Sequence, residues 1–316
     1  MDLWNEYFPD LNGPSYVQKN AKITEAGLYF VNFAQFQGLG DQGVIILIGN
    51  NSTALLVFAS SFKDSFYSSY HGGSIYLEKG SIVQYRVCST GSHDNPNFGG
   101  GGHCYTQVNE EAPNLLIEST ISSCDTSRRA FELDFGPILV QSTNTSHYQG
   151  KNLGAFCISK ANPFCEIKYS LTANNSCPGA CVGLFRKNHI VSHSLFIYNS
   201  YTDGSSTGLI KTVYGGSASF SNCSFVKNTG SNLFYGGSIT VTNCFINNPG
   251  CEIGQAEVAS TYTDQFELVL FFLSTYQCDA DNKLMNPVVI LKPLYITRYI
   301  LCPRLDPHIL SILCID

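Results

Sequence analysis

Three stretches of this sequence carry residue types at spacings that do chemistry: HIVSH, with His189 and His193; CPGAC, with Cys177 and Cys181; and GSSTGLIKT, from Gly204 to Thr212. The histidine spacing is that of a zinc-protease helix, in which both rings meet one metal, but the glutamate that serves there as general base is missing. The surrounding residues alternate as a strand, where i and i+4 share a face about 13 Å apart, too far for one ion. The cysteine pair reads as a small disulfide loop or as half of a metal site, and no second close pair completes the latter. No glycine precedes Lys211 where a phosphate loop needs one. A Ca²⁺ site or a general acid–base pair on a repeating fold needs carboxylates at one place on adjacent repeats. Residues 205–248 contain neither Asp nor Glu, and isolated acids such as Asp125, Asp134 and Asp203 read as solvated turn residues. A cysteine nucleophile with a histidine base has 13 cysteines and seven histidines to draw on, and the spacing selects none. No metal and no cofactor is expected.

The residues that must position any such group are mostly uncharged. Of 316 residues, 44% are hydrophobic and only 13% charged, with Ser, Thr, Asn and Gly making up the difference. Aromatics at 13% exclude a disordered chain and allow a sizeable core. The net charge is −6, and Arg128–Arg129 is the densest basic spot, so nucleic acid and anionic membrane are excluded as main partners. The cysteine count and the acceptor-type triplets at Asn50, Asn51, Asn144, Asn174 and Asn222 point to the cell surface or the extracellular space. The start, MDLWNEYFPDLNGPSY, lacks a basic-then-apolar leader and points instead to the cytoplasm. The best apolar runs, FELVLFFLSTY and MNPVVILKPLYITRYIL, are too short or too interrupted for a membrane span.

Two phrases repeat: YGGSASFSNCSFVKN from Tyr214 and YGGSITVTNCFINN from Tyr235. Gly215–Gly216 aligns with Gly236–Gly237, Ala218 with Ile239, Phe220 with Val241, and Asn222–Cys223 with Asn243–Cys244. One residue then drops out after the cysteine, so that Phe225 and Asn228 align with Phe245 and Asn248. Alternation with period two, punctuated by Gly and Asn, describes short strands and sharp corners. A unit of about 20 residues made this way is one turn of a β-solenoid, which buries its inward side chains only by stacking on its neighbours. Aligned residues should therefore lie over one another about 4.8 Å apart, with Asn222 and Asn243 bonding as a corner ladder. Cys223 over Cys244 reads as a buried thiol column in preference to a disulfide between turns. Weaker copies, among them Gly72–Gly73–Ser74–Ile75, extend the coil in both directions. The expected architecture is all-β: a right-handed, single-stranded, pectin-lyase-like parallel β-helix over 41–255, between irregular caps at 1–40 and 256–316.

The order of a strand, F-x-x-N, a polar turn and GGSI resembles the polymorphic outer-membrane-protein repeat, through Gly72–Ile75, Gly236–Ile239, Phe225–Asn228 and Phe245–Asn248. The passage from Gly72 to Val108 is similar to right-handed parallel β-helix surface proteins of parasitic protists. In that family a Cys-bearing strand precedes a Gly-rich loop with a second Cys, which implies a Cys88–Cys104 pairing in an extracellular protein. The resemblance implies a non-catalytic surface or secreted adhesive module whose partners are glycans or host proteins. The other reading is a polysaccharide lyase or glycoside hydrolase on the same fold. The missing carboxylate cluster argues against that reading.

Overall fold

The structure, a computed structural model, describes residues 3–265 apart from 40–42, 49, 70, 96–99, 125–128, 151–153 and 203–206. Every ladder in it is parallel, and the chain winds as a three-sided β-solenoid. A first face is built from Ile45–Ile48, Ile75–Glu78, Gly101–Gln107, Arg129–Asp134, Phe156–Ser159, Val182–Phe185, Ile210–Val213 and the first part of Asn232–Thr242. A second face stacks Leu28–Asn32, Ala54–Phe58, Ser81–Tyr85, Asn114–Ile117, Ile138–Gln141, Cys165–Lys168, Asn188–Ser192, Ser217–Ser221 and the rest of Asn232–Thr242. The third face carries the three-residue strands Gln35–Gln37, Ser61–Lys63, Cys88–Thr90, Thr120–Ser122, Asn144–Ser146, Leu171–Ala173, Leu195–Ile197, Ser224–Val226 and Phe245–Asn247.

Strands this short must end in corners, and the corners are made by single residues in the left-handed region. Between the second and third faces these are Phe33, Ala59, Arg86, Glu118, Ser142, Tyr169, His193, Asn222 and Asn243, with φ between 44° and 56°. Ordinary L-residues visit this region rarely. They hold it here because the ladders on both sides fix the chain direction, and because each corner amide is bonded to the next turn, as Asn222 N–H is to Thr242 C=O.

The coil begins earlier than expected. Ser15–Val17 already pairs with Leu28–Asn32, and Gln35–Gln37 with Ser61–Lys63, so residues 1–40 are not a separate cap. The helix Leu3–Tyr7 lies on the flank of the second face, where Trp4 and Phe8 cover the outward-pointing Phe30, Leu56 and Val83. At the other end, Glu252–Val258 straddles the expected boundary at 255, and the segment from 266 onward lies outside the described residues.

The two GGSI copies stand at different corners. Gly72–Gly73 lead into the first face, where Ile75 stacks between Ile45 and Cys104. Gly236–Gly237 form the corner from the first face to the second, where Ile239 stacks on Ala218. Both places demand the same residue for the same reason. A Cβ on Gly72 (φ 78°) would lie 2.1 Å from Ile75 O, and one on Gly236 (φ 118°) 1.8 Å from Thr212 O.

Candidate ligand-binding surface

The repeated residues divide into those that hold the coil and those that face water. Ala218 lies over Ile239 and Phe220 over Val241, as the alignment requires. The register continues unbroken through Ser224 over Phe245, Phe225 over Ile246 and Val226 over Asn247. The dropped residue is therefore not beside the cysteine but at the next corner, and Phe225 does not lie over Phe245. Ile246 takes the interior place, and Phe225 stacks instead on Phe196 (5.0 Å, 8°). A ladder cannot change register within three residues without turning its side chains over, so the corner absorbs the change.

The asparagine ladder is real, but it is not the expected one. Asn222 and Asn243 are the left-handed corner residues, and their amides point outward to His193 (3.3 Å) and Ser260. The interior ladder runs Asn175, Asn199, Asn228, Asn248. Each amide Nδ2 donates to the next Oδ1 at 2.9 Å, and the backbone N–H of Asn175, Asn199 and Asn228 shares the same acceptor. The second hydrogen of each amide goes back to a carbonyl: Thr145, Thr172, Phe196 or Phe225. Phe196 and Asn199 also spell F-x-x-N, and at Phe196 and Phe225 the motif pairs an interior ring with an interior amide, whereas Phe245 points outward. Asn175 and Asn199 escaped notice because their turns differ in length from the clear repeat.

A second interior ladder explains the paired cysteines. At seven of the nine second-to-third corners the following residue points inward and bonds back to the carbonyl two residues earlier: Ser60, Ser119, Thr143, Ser170, Ser194, then Cys223 and Cys244; at the other two stand Ala34 and Val87. At Ser60, Ser119, Ser170, Ser194 and Cys244 the oxygen or sulfur also accepts an N–H from the preceding turn, as in Ser170 N to Ser194 Oγ (3.2 Å) and Cys223 N to Cys244 Sγ (3.4 Å). The two thiols are free and stand where other turns place hydroxyls.

Several chemical candidates come apart. His189 is buried and points inward, while the corner at His193 turns that ring outward, so the two do not share a face. Burial lowers the His189 pKa to about 4 and keeps it neutral. Cys177 and Cys181 are buried free thiols. Cys104 is likewise a buried free thiol, stacked over Ile75 in the first face, whereas Cys88 lies in the third face. Cys88 is disulfide-bonded, but the expected 88–104 bridge is not formed. No cluster of three potential metal ligands occurs among the described residues. Asp125 and Asp203 lie outside them.

Asp134 is not a solvated turn residue. It sits in the strand Arg129–Asp134, is 5% exposed, and stands two residues from the equally buried Glu132. Burial first, and then the Glu132 charge, raise its pKa to about 7 against the pull of Lys160 (3.5 Å) and Arg129. Glu132 is ion-paired with Arg129 and stacks on Cys157 of the next turn. The recess beside them, lined by Arg129, Phe156, Cys157, Phe185 and Lys211, holds about 10 Å³. That is room for about one water and no sugar.

The exposed surface of matching chemistry is the C-terminal half of the second face. Ser219 lies over Thr240 and Ser221 over Thr242, all pointing outward, with Ile190 and Ser192 on the preceding turn. One rim carries Tyr169 (44% exposed), whose ring lies 5.2 Å from His193 and tilted 31° to it, followed by Asn222 and Asn243. The other rim carries Tyr214, 77% exposed, with the Arg186 guanidinium 5.8 Å from its ring. The arrangement offers hydroxyls at the ladder spacing, with Tyr214 at one edge of the Ser219 turn and Tyr169 at the opposite edge two turns before it. Comparison of the chain with protein-family models, with curated proteins and with solved structures yields no match.

Proposed function

We propose that this solenoid is a non-catalytic binding module, displayed at the cell surface or secreted, whose second face between Tyr169 and Tyr214 holds a glycan chain. One observation carries the reading: outward Ser and Thr stand in register on adjacent turns, with the exposed Tyr214 on the Ser219 turn and Tyr169 on the opposite rim two turns before it. Sugar rings present C–H faces to aromatic rings and hydroxyls to hydroxyl, amide and imidazole groups, and a few such polar groups beside aromatic surface fix orientation. The triplets at Asn50, Asn51 and Asn174 are exposed and fit a glycosylated protein, whereas Asn144 is 1% exposed and is no acceptor in the folded chain. A protein partner on the same surface is the other form of this reading.

The enzymatic reading has one observation in its favour. An Asp134 titrating near 7 has the pKa of a general acid. Both carboxylates on that rung are, however, neutralised by Arg129 and Lys160 beside a recess too small for a sugar.

A glycan array, with Tyr214→Ala and Tyr169→Ala as controls, tests the proposal. Binding by the wild type should fall at least about tenfold in each variant. Binding that survives both substitutions removes the second face as the site. Incubation with polygalacturonate and related polymers, with and without Ca²⁺, should give no products. Turnover abolished by Asp134→Asn would establish the enzyme instead.

A further inference from the structure

Four corners between the first and second faces turn on two consecutive residues in the left-handed region: Lys79–Gly80, Phe135–Gly136, Arg186–Lys187 and Tyr214–Gly215. Three of them place glycine second, at φ 105°, 68° and 75°, where a side chain is strained. At Arg186–Lys187 a lysine holds that place, at φ 78°. The next turn fixes this corner through the backbone: Arg186 N–H bonds to Val213 C=O (3.2 Å), and Lys187 C=O accepts from Ser217 N–H (3.0 Å). Nothing in that stacking uses the lysine side chain, which is exposed together with Arg186 and Asn188. Among the described residues neither cation has an acidic partner, whereas Arg86, Arg129, Lys160 and Lys168 are each ion-paired. Backbone strain kept at an exposed cation points to a use outside the fold.

We infer that the ligand of the second face is an acidic glycan, its carboxylates or sulfates bound by Arg186 and Lys187; the inference rests on the glycan reading above. The two cations stand on the rim that carries Tyr214, one turn before it. Lys187 leads directly into Asn188–Ser192, whose outward Ile190 and Ser192 begin the rows continued by Ser219, Ser221, Thr240 and Thr242. The Arg186 guanidinium lies 5.8 Å from the Tyr214 ring, so a sugar seated on that ring has a carboxylate-binding fork beside it. The charge of the surrounding turns has the matching sign. From residue 167 to residue 251 the chain carries five Lys and Arg and one acid, Asp203, although its net charge is −6. On the second face Glu166 is neutralised by Lys168 (2.8 Å). Glu257, exposed and stacked over Thr240, sets a negative charge at the far end, so an acidic chain stops short of the last turn. Two neighbouring cations are sparse for nucleic acid, which carries a charge at every phosphate. They match acid groups set among hydroxyls.

The test uses the full chain and calorimetric titration with two acidic sources, a galacturonic acid hexasaccharide and a sulfated galactose hexasaccharide. Each is compared with its uncharged counterpart, the methyl ester or the desulfated sugar. An exposed ion contact is worth about threefold, so two should make at least one acidic sugar bind about tenfold more tightly than its counterpart at low salt. High salt should close that gap. Arg186→Gln and Lys187→Gly should each remove about threefold, and together the whole preference; a preference that survives both removes the corner as its source. Lys187→Gly should also raise the urea midpoint, because glycine relieves the left-handed lysine, and a midpoint that does not rise would show that the lysine serves the fold. Lys227→Gln, at the corner after the third face, should keep the preference, and its loss there would assign the effect to overall charge. Inorganic polyphosphate bound as tightly as the sugar overturns the inference in favour of any polyanion. Equal binding of charged and uncharged sugars overturns it and leaves the glycan surface standing, whereas a glycan array without any ligand removes that surface as well.

Discussion

Replacing Asn199 by alanine isolates the interior amide ladder. Four hydrogen bonds vanish: from Asn175 N–H and Asn175 Nδ2 to Asn199 Oδ1 (3.2 and 2.9 Å), and from Asn199 Nδ2 to Thr172 O and Asn228 Oδ1 (2.8 and 2.9 Å). Asn175 Nδ2 keeps Thr145 O, and Asn228 Oδ1 keeps the backbone N–H of Asn199, so those two groups stay satisfied. The buried Asn175 N–H loses its acceptor. An orphaned buried donor costs about 1–3 kcal/mol and each lost bond about 1 kcal/mol net, so the expected loss is about 3–5 kcal/mol. Asn248, which water reaches, should cost less than half of that when changed to alanine, and Asn222, whose amide is on the surface, under about 0.5 kcal/mol. Urea denaturation followed by circular dichroism gives the three values from the midpoints and slopes. Hydrogen exchange at the Asn175 amide should quicken in Asn199→Ala alone. Losses that do not rank 199 above 248 above 222 would show that the solenoid is held by its apolar columns and that the amide ladder is incidental.

Gly236→Val should destabilise by about 3 kcal/mol or more, because its Cβ collides with Thr212 O at a φ of 118°. Gly215→Ala, with φ 75° and open space around it, should cost only about 1 kcal/mol; equal losses would mean that conformation alone sets the cost. Cys223→Ser should leave the unfolding free energy from urea denaturation within about 1 kcal/mol, since serine fills the same corner in other turns, and a larger loss would show that sulfur volume is needed. Asp134 carries a folded-state pKa of about 7, above its unfolded value, so the folded state binds the extra proton. Stability should therefore fall as pH rises from about 4 to about 7, and Asp134→Asn should remove that slope in paired denaturation series.

The fold was legible in the sequence because the shortest turn is also the plainest. Cys223 and Cys244 are 21 residues apart, and between them the chain carries little beyond three strands and their corners. Elsewhere the offset between stacked residues grows to 24 at Asn175 and Asn199, 29 at Asn199 and Asn228, and 32 at Arg86 and Glu118. Corners absorb those residues while the strands keep their stacking, so periodicity disappears from the sequence but not from the structure. The same blindness misplaced the amide ladder. Asn222 and Asn243 are adjacent to cysteine in both copies, whereas Asn175, Asn199, Asn228 and Asn248 share only their place after the third face. Asp134 was misjudged for a different reason. Its burial comes from neighbours on other turns, Glu132 aside, and no local pattern reports them. The glycines were informative about what each site excludes, a Cβ, but not about which corner each one makes.

The interior and the exterior of this coil obey different rules, and that difference bears on the proposed ligand. Inside, each column must present one kind of group at each turn: ring on ring at Phe196 and Phe225, amide on amide at Asn199 and Asn228, hydroxyl or thiol from Ser170 to Cys244. These columns are most continuous over the last turns. Outside, nothing in the stacking dictates whether Ser219 and Thr240 should be hydroxyls or charges, yet the second face there is Ser and Thr in register. An interior that fixes backbone spacing so tightly also fixes the spacing of those outward hydroxyls at about 4.8 Å. A surface held this way loses little freedom when a ligand binds. The ligand that profits most is itself a chain, extended and hydroxyl-rich, and able to meet several turns at once. Such a ligand should lose affinity steeply as it is shortened below the span from Tyr169 to Asn243, four corners and three steps or about 14 Å. Oligosaccharides of graded length, titrated calorimetrically, would show that threshold; equal affinity for a monosaccharide and a hexasaccharide would place binding at a single pocket rather than along the ladder.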